Sequence, residues 1–76
     1  MFDQKIFCGR LKALRLEKGM SQNELGNALG LSKQAIYDME CGRRTTTMER
    51  IYLLAETLDA TADYLLGLSD VRERQF

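Results

Sequence analysis

A chain of 76 residues has room for one small hydrophobic core and none for a second domain with its own activity. Apolar residues at 45% suit a folded domain rather than disorder; with no proline and no β-branched run beyond the threonines at 45–47, the expectation is all-helical. Eleven Lys and Arg balance eleven Asp and Glu, histidine is absent and only Cys8 and Cys41 carry thiols, so no zinc or other metal site and no cofactor is expected.

Helix one is predicted from about residue 4 to Lys18. Phe7, Leu11 and Leu14 recur at spacings of four and three, and Gly19 stops the helix as a left-handed cap. Helix two opens with SQNE at 21–24, a capping box in which the Ser21 hydroxyl accepts a backbone N–H and Glu24 reaches back. Leu25, Ala28 and Leu29 form its buried stripe and Gly30 ends it. Gly26, inside it, either costs about 1 kcal/mol against alanine or permits close packing. Only Gly30 and Leu31 separate helix two from helix three, which starts at the N-cap Ser32 and runs to Cys41 before Gly42. So short a connection holds the two helices in a fixed corner. Helix four is predicted to start at the threonine run, with Thr46 and Glu49 as a second capping box. Ile51, Leu54, Ala55 and Leu58 are its stripe, and Asp59-Ala60 breaks it. Helix five, about residues 61–66, carries Leu65 and Leu66 and closes at Gly67. SDVRERQF, residues 69–76, reads as a tail, frayed or at a dimer interface. Met20, Met39 and Met48 read as core fillers, and Phe2, Phe7, Tyr52 and Tyr64 as core or interface residues.

The zero net charge hides an asymmetry. Residues 1–45 hold eight basic and five acidic side chains, net +3, and residues 46–76 hold three and six, net −3. A basic half can meet phosphates while an acidic half faces away. Helix three is the informative element. At about 100° per residue, Ala35, Ile36 and Met39 fall on one side, and Lys33, Gln34, Tyr37, Asp38 and Cys41 on the other, with Glu40 at the border. Gln matches an adenine edge, Lys donates to guanine or phosphate, hydroxyls go either way, and Asp only accepts. Arg43 and Arg44 follow where backbone phosphates would lie.

The run RLKALRLEKGMSQNELGNALGLSKQAIYDMECGRR, continued by MERIYLLAETLDATADYLLGL, closely resembles the Cro/C1-type (XRE family) helix-turn-helix domain of phage repressors and small bacterial regulators. The likeness covers residues 7–68, and the domain is placed at 1–68. It rests on R-x-x-K-G-x-S-Q-x-E-L, the A-L-G-L-S corner, I-x-x-M-E-x-G-R-R and the closing D-Y-L-L-G. The resemblance implies a five-helix, lambda-repressor-like fold with helices two and three as the helix-turn-helix. It implies base reading by Ser32, Lys33, Gln34, Tyr37 and Asp38, and phosphate binding by Arg43, Arg44, Thr45 and Gln22, the last donating to a phosphate or packing on the first base reader. Arg15 and Glu40 match a partly buried structural ion pair. Three threonines stand where the family often has a proline, so the start of helix four rests on threonine capping.

The function expected is sequence-specific binding of double-stranded DNA by a transcriptional regulator or repressor, acting as a homodimer through some of Tyr64, Leu65, Leu68, Val71 and Phe76. The competing expectation is a protein-interaction module, such as the antitoxin of a toxin–antitoxin pair. Enzyme chemistry is not expected, because no nucleophile–base pair or phosphate-cradling loop is visible. MFDQKIFCGRL has charges where a signal peptide needs apolar residues, and no run approaches membrane-spanning length. A soluble, reduced, cytoplasmic protein is expected.

Overall fold

Every helix begins at a side chain that accepts a backbone N–H which the first turn would leave unpaired. The computed structural model describes residues 1–73, in which the regular structure is α1 (Gln4–Glu17), α2 (Gln22–Leu29), α3 (Lys33–Glu40), α4 (Met48–Thr57) and α5 (Ala62–Leu66). The caps are Asp3, Ser21, Ser32, Thr47 and Thr61. At α2 the arrangement is reciprocal: Ser21 Oγ accepts from Glu24 N at 3.0 Å, and Ser21 N donates to Glu24 Oε1 at 2.9 Å. The Ser21 backbone N–H, and then its side chain, hold the Glu24 carboxyl below its ordinary pKa of 4.5.

The α4 cap falls one residue later than the expected Thr46. Thr47 Oγ1 accepts from Arg50 N at 3.2 Å, which puts Arg50 rather than Glu49 at the third helical position and leaves no reciprocal box. Three consecutive hydroxyls look alike locally, so the choice falls to the register that brings Leu54 and Leu58 into the core. Thr46 Oγ1 is buried and has no hydrogen-bond partner among the described residues.

One cluster forms the core: Phe7, Leu11 and Leu14 of α1, Leu25 and Leu29 of α2, Ile36 and Met39 of α3, Leu54 and Leu58 of α4 and its cap, Ala60, and Leu65 of α5. Full burial of side chains of this size stabilises by about 1.5–3 kcal/mol each. Ile51 and Ala55 pack against its edge, as do Met20 and Tyr64. Three expectations change here. Ala28 is exposed and Gly26 is buried in its place. Met48 is 88% exposed rather than a core filler, because the later cap turns it outward at the first helical position. Leu65 lies in the core and is not available to an interface, whereas Leu68 and Val71 are exposed.

The α2–α3 corner explains Gly26. A Cβ there would lie 2.7 Å from Leu31 O and 3.2 Å from Ser32 C, so the connecting backbone rests directly on α2. Leu31 N donates to Gly26 O at 2.7 Å, and Gly30 turns the chain with φ +69°. Close packing, not tolerance of a helix-weakening residue, is the role of Gly26.

Residues 69–72, expected to begin a frayed or interfacial tail, are tied back to α1 and α5. Arg10 NH1 donates to Tyr64 O at 2.6 Å and Ser69 O at 2.8 Å, NH2 donates to Asp70 Oδ1 at 2.9 Å, and the guanidinium stacks 4.0 Å from the Tyr64 ring centroid. Thr61 N donates to Arg72 O at 3.0 Å, and Thr61 Oγ1 to Val71 O at 2.8 Å. Phe76 lies outside the described residues.

Candidate nucleic-acid interface

The corner decides which side of α3 faces out. Ala35, Ile36 and Met39 are buried, and Ser32, Lys33, Gln34, Tyr37 and Cys41 are exposed. Asp38 is half-buried between them. Ser32 Oγ accepts from Ala35 N at 3.1 Å, which leaves its hydroxyl hydrogen to donate outward. Gln34 Nε2 donates to Asp38 Oδ1 at 3.0 Å, and Arg43 NH1 approaches the same oxygen at 3.8 Å. The Arg43 guanidinium also sits 5.7 Å from the Tyr37 ring centroid. Interaction with the Cys41 side chain, one turn on, pushes the Tyr37 phenol above its ordinary pKa of 10.0.

Behind this face lies a buried polar knot. Arg15 Nε donates to Glu40 Oε2 at 2.6 Å and NH2 to Oε1 at 3.1 Å, while Arg15 NH1 donates to Met20 O at 2.8 Å. Gln22 Nε2 donates to Glu40 Oε1 at 3.2 Å. Helix α1, the start of α2 and the end of α3 are thereby joined at one carboxylate, and the Arg15 guanidinium adds the loop after α1. Gln22, expected at a phosphate, has an amide hydrogen engaged in this knot. Arg43, Arg44 and Thr45 lie exposed on the loop from α3 to α4.

A family model described as helix-turn-helix matches residues 11–65. The chain belongs to the helix-turn-helix family, of the Cro/C1 (XRE) type. The chain is 28% identical over 65 residues to an uncharacterised HTH-type transcriptional regulator, YobD of Bacillus subtilis, covering 86% of this chain and 58% of that one. Its structure is similar to that of the P22 c2 repressor protein crystallised with a synthetic operator, with TM-score 0.79 and 28% identity over 84% of this chain and 97% of the repressor chain. The restriction-modification controller protein C.AhdI of Aeromonas hydrophila gives TM-score 0.75 and 35% identity over 83% of this chain and 91% of its own. The chain spans between 14% and 58% of the length of YobD and two other curated regulators that it matches.

In this helix-turn-helix, α2 and α3 are the paired helices, and the exposed side of α3 brings Ser32, Lys33, Gln34 and Tyr37 onto one surface with Asp38. Among the described residues no three Cys, Asp or Glu side chains gather as a metal site would need, and no helix is long and apolar enough to cross a membrane. Sequence reading missed the Gln34–Asp38–Arg43 chain, although the i,i+4 spacing of Gln34 and Asp38 is a local signal for it. It also missed Arg10 as the anchor of residues 64–70, for which no local signal exists.

Proposed function

We propose that the chain binds double-stranded DNA in a sequence-specific way, with α3 in the major groove, and regulates transcription as a non-enzymatic, cytoplasmic homodimer. The observation that carries this reading is the α2–α3 corner, closed on Gly26, which leaves the hydrogen-bonding side of α3 open to solvent while its other side is locked in the core. The operator bound by the similar P22 c2 repressor supports it. Ser32, Lys33, Gln34 and Tyr37 form the base-reading surface, with the half-buried Asp38 set among them. Arg43, Arg44 and Thr45, with Gln22 at the start of α2, meet the phosphates, and Arg15–Glu40 sets the angle of α3. One such helix covers few base pairs, so two copies at a fixed spacing supply the specificity. An apolar groove between the start of α1 and the end of α5, with Phe2, Ile6 and Leu68 exposed around it, supports pairing there.

The test is enrichment from a randomised duplex pool by the wild type and by Lys33→Ala/Gln34→Ala. The double variant is expected to keep its helical circular dichroism and lose sequence enrichment; retained enrichment removes α3 as the reader. Sedimentation showing a monomer both at high concentration and on the enriched duplex removes the dimer. The acidic second half, net −3 over residues 46–76, favours a second reading as a protein-interaction module such as an antitoxin. That reading predicts tight binding to one protein partner and no duplex enrichment.

A further inference from the structure

We propose that Asp38 is a positioning residue, whose carboxylate fixes the Gln34 amide in the orientation that reads an adenine edge, rather than itself a reader of bases. This rests on the DNA-reading assignment of α3 and deepens it. Asp38 lies one turn behind Gln34 on the same face, and its side chain is 25% exposed, whereas Gln34 is exposed. Gln34 Nε2 reaches Asp38 Oδ1 at 3.0 Å, and Arg43 NH1 stands 3.8 Å from that same oxygen. Arg43 N also donates to Asp38 O at 2.8 Å, which holds the arginine at this end of the helix.

An ionised carboxylate only accepts hydrogen bonds, so it selects one of the two amide orientations of Gln34: nitrogen towards Asp38, oxygen away. One amide hydrogen is then engaged. One N–H and the whole of Oε1 remain, a donor and an acceptor side by side. Adenine presents the complement in the major groove, N7 as acceptor and the N6 amino group as donor. Guanine presents two acceptors, one of which would face Oε1. The nearby guanidinium of Arg43 offsets the repulsion that a bare carboxylate on this face would exert on phosphates. Asparagine at 38 would keep the shape but could accept or donate, and Gln34 would be free to turn over.

Four proteins, the wild type, D38N, Q34A and Q34A/D38N, are each bound to the same randomised duplex pool and the bound fractions sequenced, with circular dichroism as the folding control. The wild type is expected to prefer A·T at one position, and Q34A to erase that preference. D38N should lower the A-over-G ratio at that position by at least about fivefold and leave the other positions within about twofold. The double variant should match Q34A there. A D38N effect at a position that Q34A leaves alone makes Asp38 a direct reader and overturns the proposal. An equal gain for every sequence, or no change, overturns it in favour of simple repulsion or of an idle residue. Sequence enrichment by the wild type that Q34A does not alter overturns it while leaving the DNA-reading assignment intact; no enrichment by the wild type sinks that assignment itself. The free protein gives an independent reading: the Gln34 side-chain amide resonances in a 15N spectrum should move on D38N, and unmoved resonances overturn the proposal without reference to DNA.

Discussion

Arg15 and Glu40, 25 residues apart in sequence, meet through two hydrogen bonds with side chains only 8% and 3% exposed. Their attraction has to offset the removal of two charges from water, so the pair as a whole adds little net stability. Its value lies in direction: it joins α1 to the last residue of α3, and so fixes how the recognition face leaves the body. Arg15→Ala or Glu40→Ala strands the remaining charge and is expected to destabilise by about 3–5 kcal/mol in urea unfolding. Arg15→Met/Glu40→Leu should lose less than either single change. Single changes within 1 kcal/mol of wild type would mean that water reaches the pair.

Two glycines in helices should respond with opposite sign to alanine. At Gly9, in α1, an added Cβ meets nothing within 4 Å, so Gly9→Ala is expected to stabilise by about 0.5–1 kcal/mol. At Gly26 the Cβ would press to 2.7 Å on Leu31 O, a backbone atom that cannot swing aside. Gly26→Ala should lose about 1–3 kcal/mol despite the better helix former. Thermal unfolding of both variants checks the pair; a stabilised Gly26→Ala would mean that the corner can open without loss.

Glu24 should leave a mark on the acid limb of stability. Its carboxyl is held below 4.5 by the Ser21 backbone N–H and side chain, so the folded state favours the ionised form. The contribution is therefore complete above the unfolded value and lost as pH falls through the lower folded one. Glu24→Gln cannot ionise and should show a flatter decline in Tm below about pH 4.5. Parallel curves for the two proteins would remove Glu24 from the acid response.

Arg43 and Arg44 are expected to act on affinity rather than on sequence choice. Each contact with a phosphate contributes about 0.9 to the slope of log K against log salt, so each Arg→Ala should lower the slope by about 1 per protomer and leave the preferred sequence in place. Fluorescence anisotropy across a salt series measures this. A changed sequence preference for either variant would mean that the arginine acts on base reading as well as on phosphates.

Arg10→Ala should loosen one end of the molecule and spare the other. The variant loses the bonds to Tyr64 O, Ser69 O and Asp70. Faster amide exchange is expected at Thr61, whose N–H is bonded to Arg72 O, with Leu31 and Ile36 unchanged. Uniform acceleration would mean that Arg10 supports the whole core rather than this end.

Much of the architecture is written in short-range chemistry. Capping hydroxyls act across three residues, helical stripes across four, and stop glycines at a single φ, so five helices and the outward face of α3 are legible at Ser21, Ser32, Leu25, Leu29, Ile36 and Met39. Where identical residues stand side by side, as at Thr46 and Thr47, the local signal is degenerate and the packing of Leu54 and Leu58 chooses. What lies beyond reach of local pattern is contact between distant segments. That Gln22 turns towards Glu40 and that Arg10 gathers in the residues after α5 both depend on loops closing around a core that has already formed. A side chain's periodicity says which way it points, but its partner is whatever the finished fold sets opposite it.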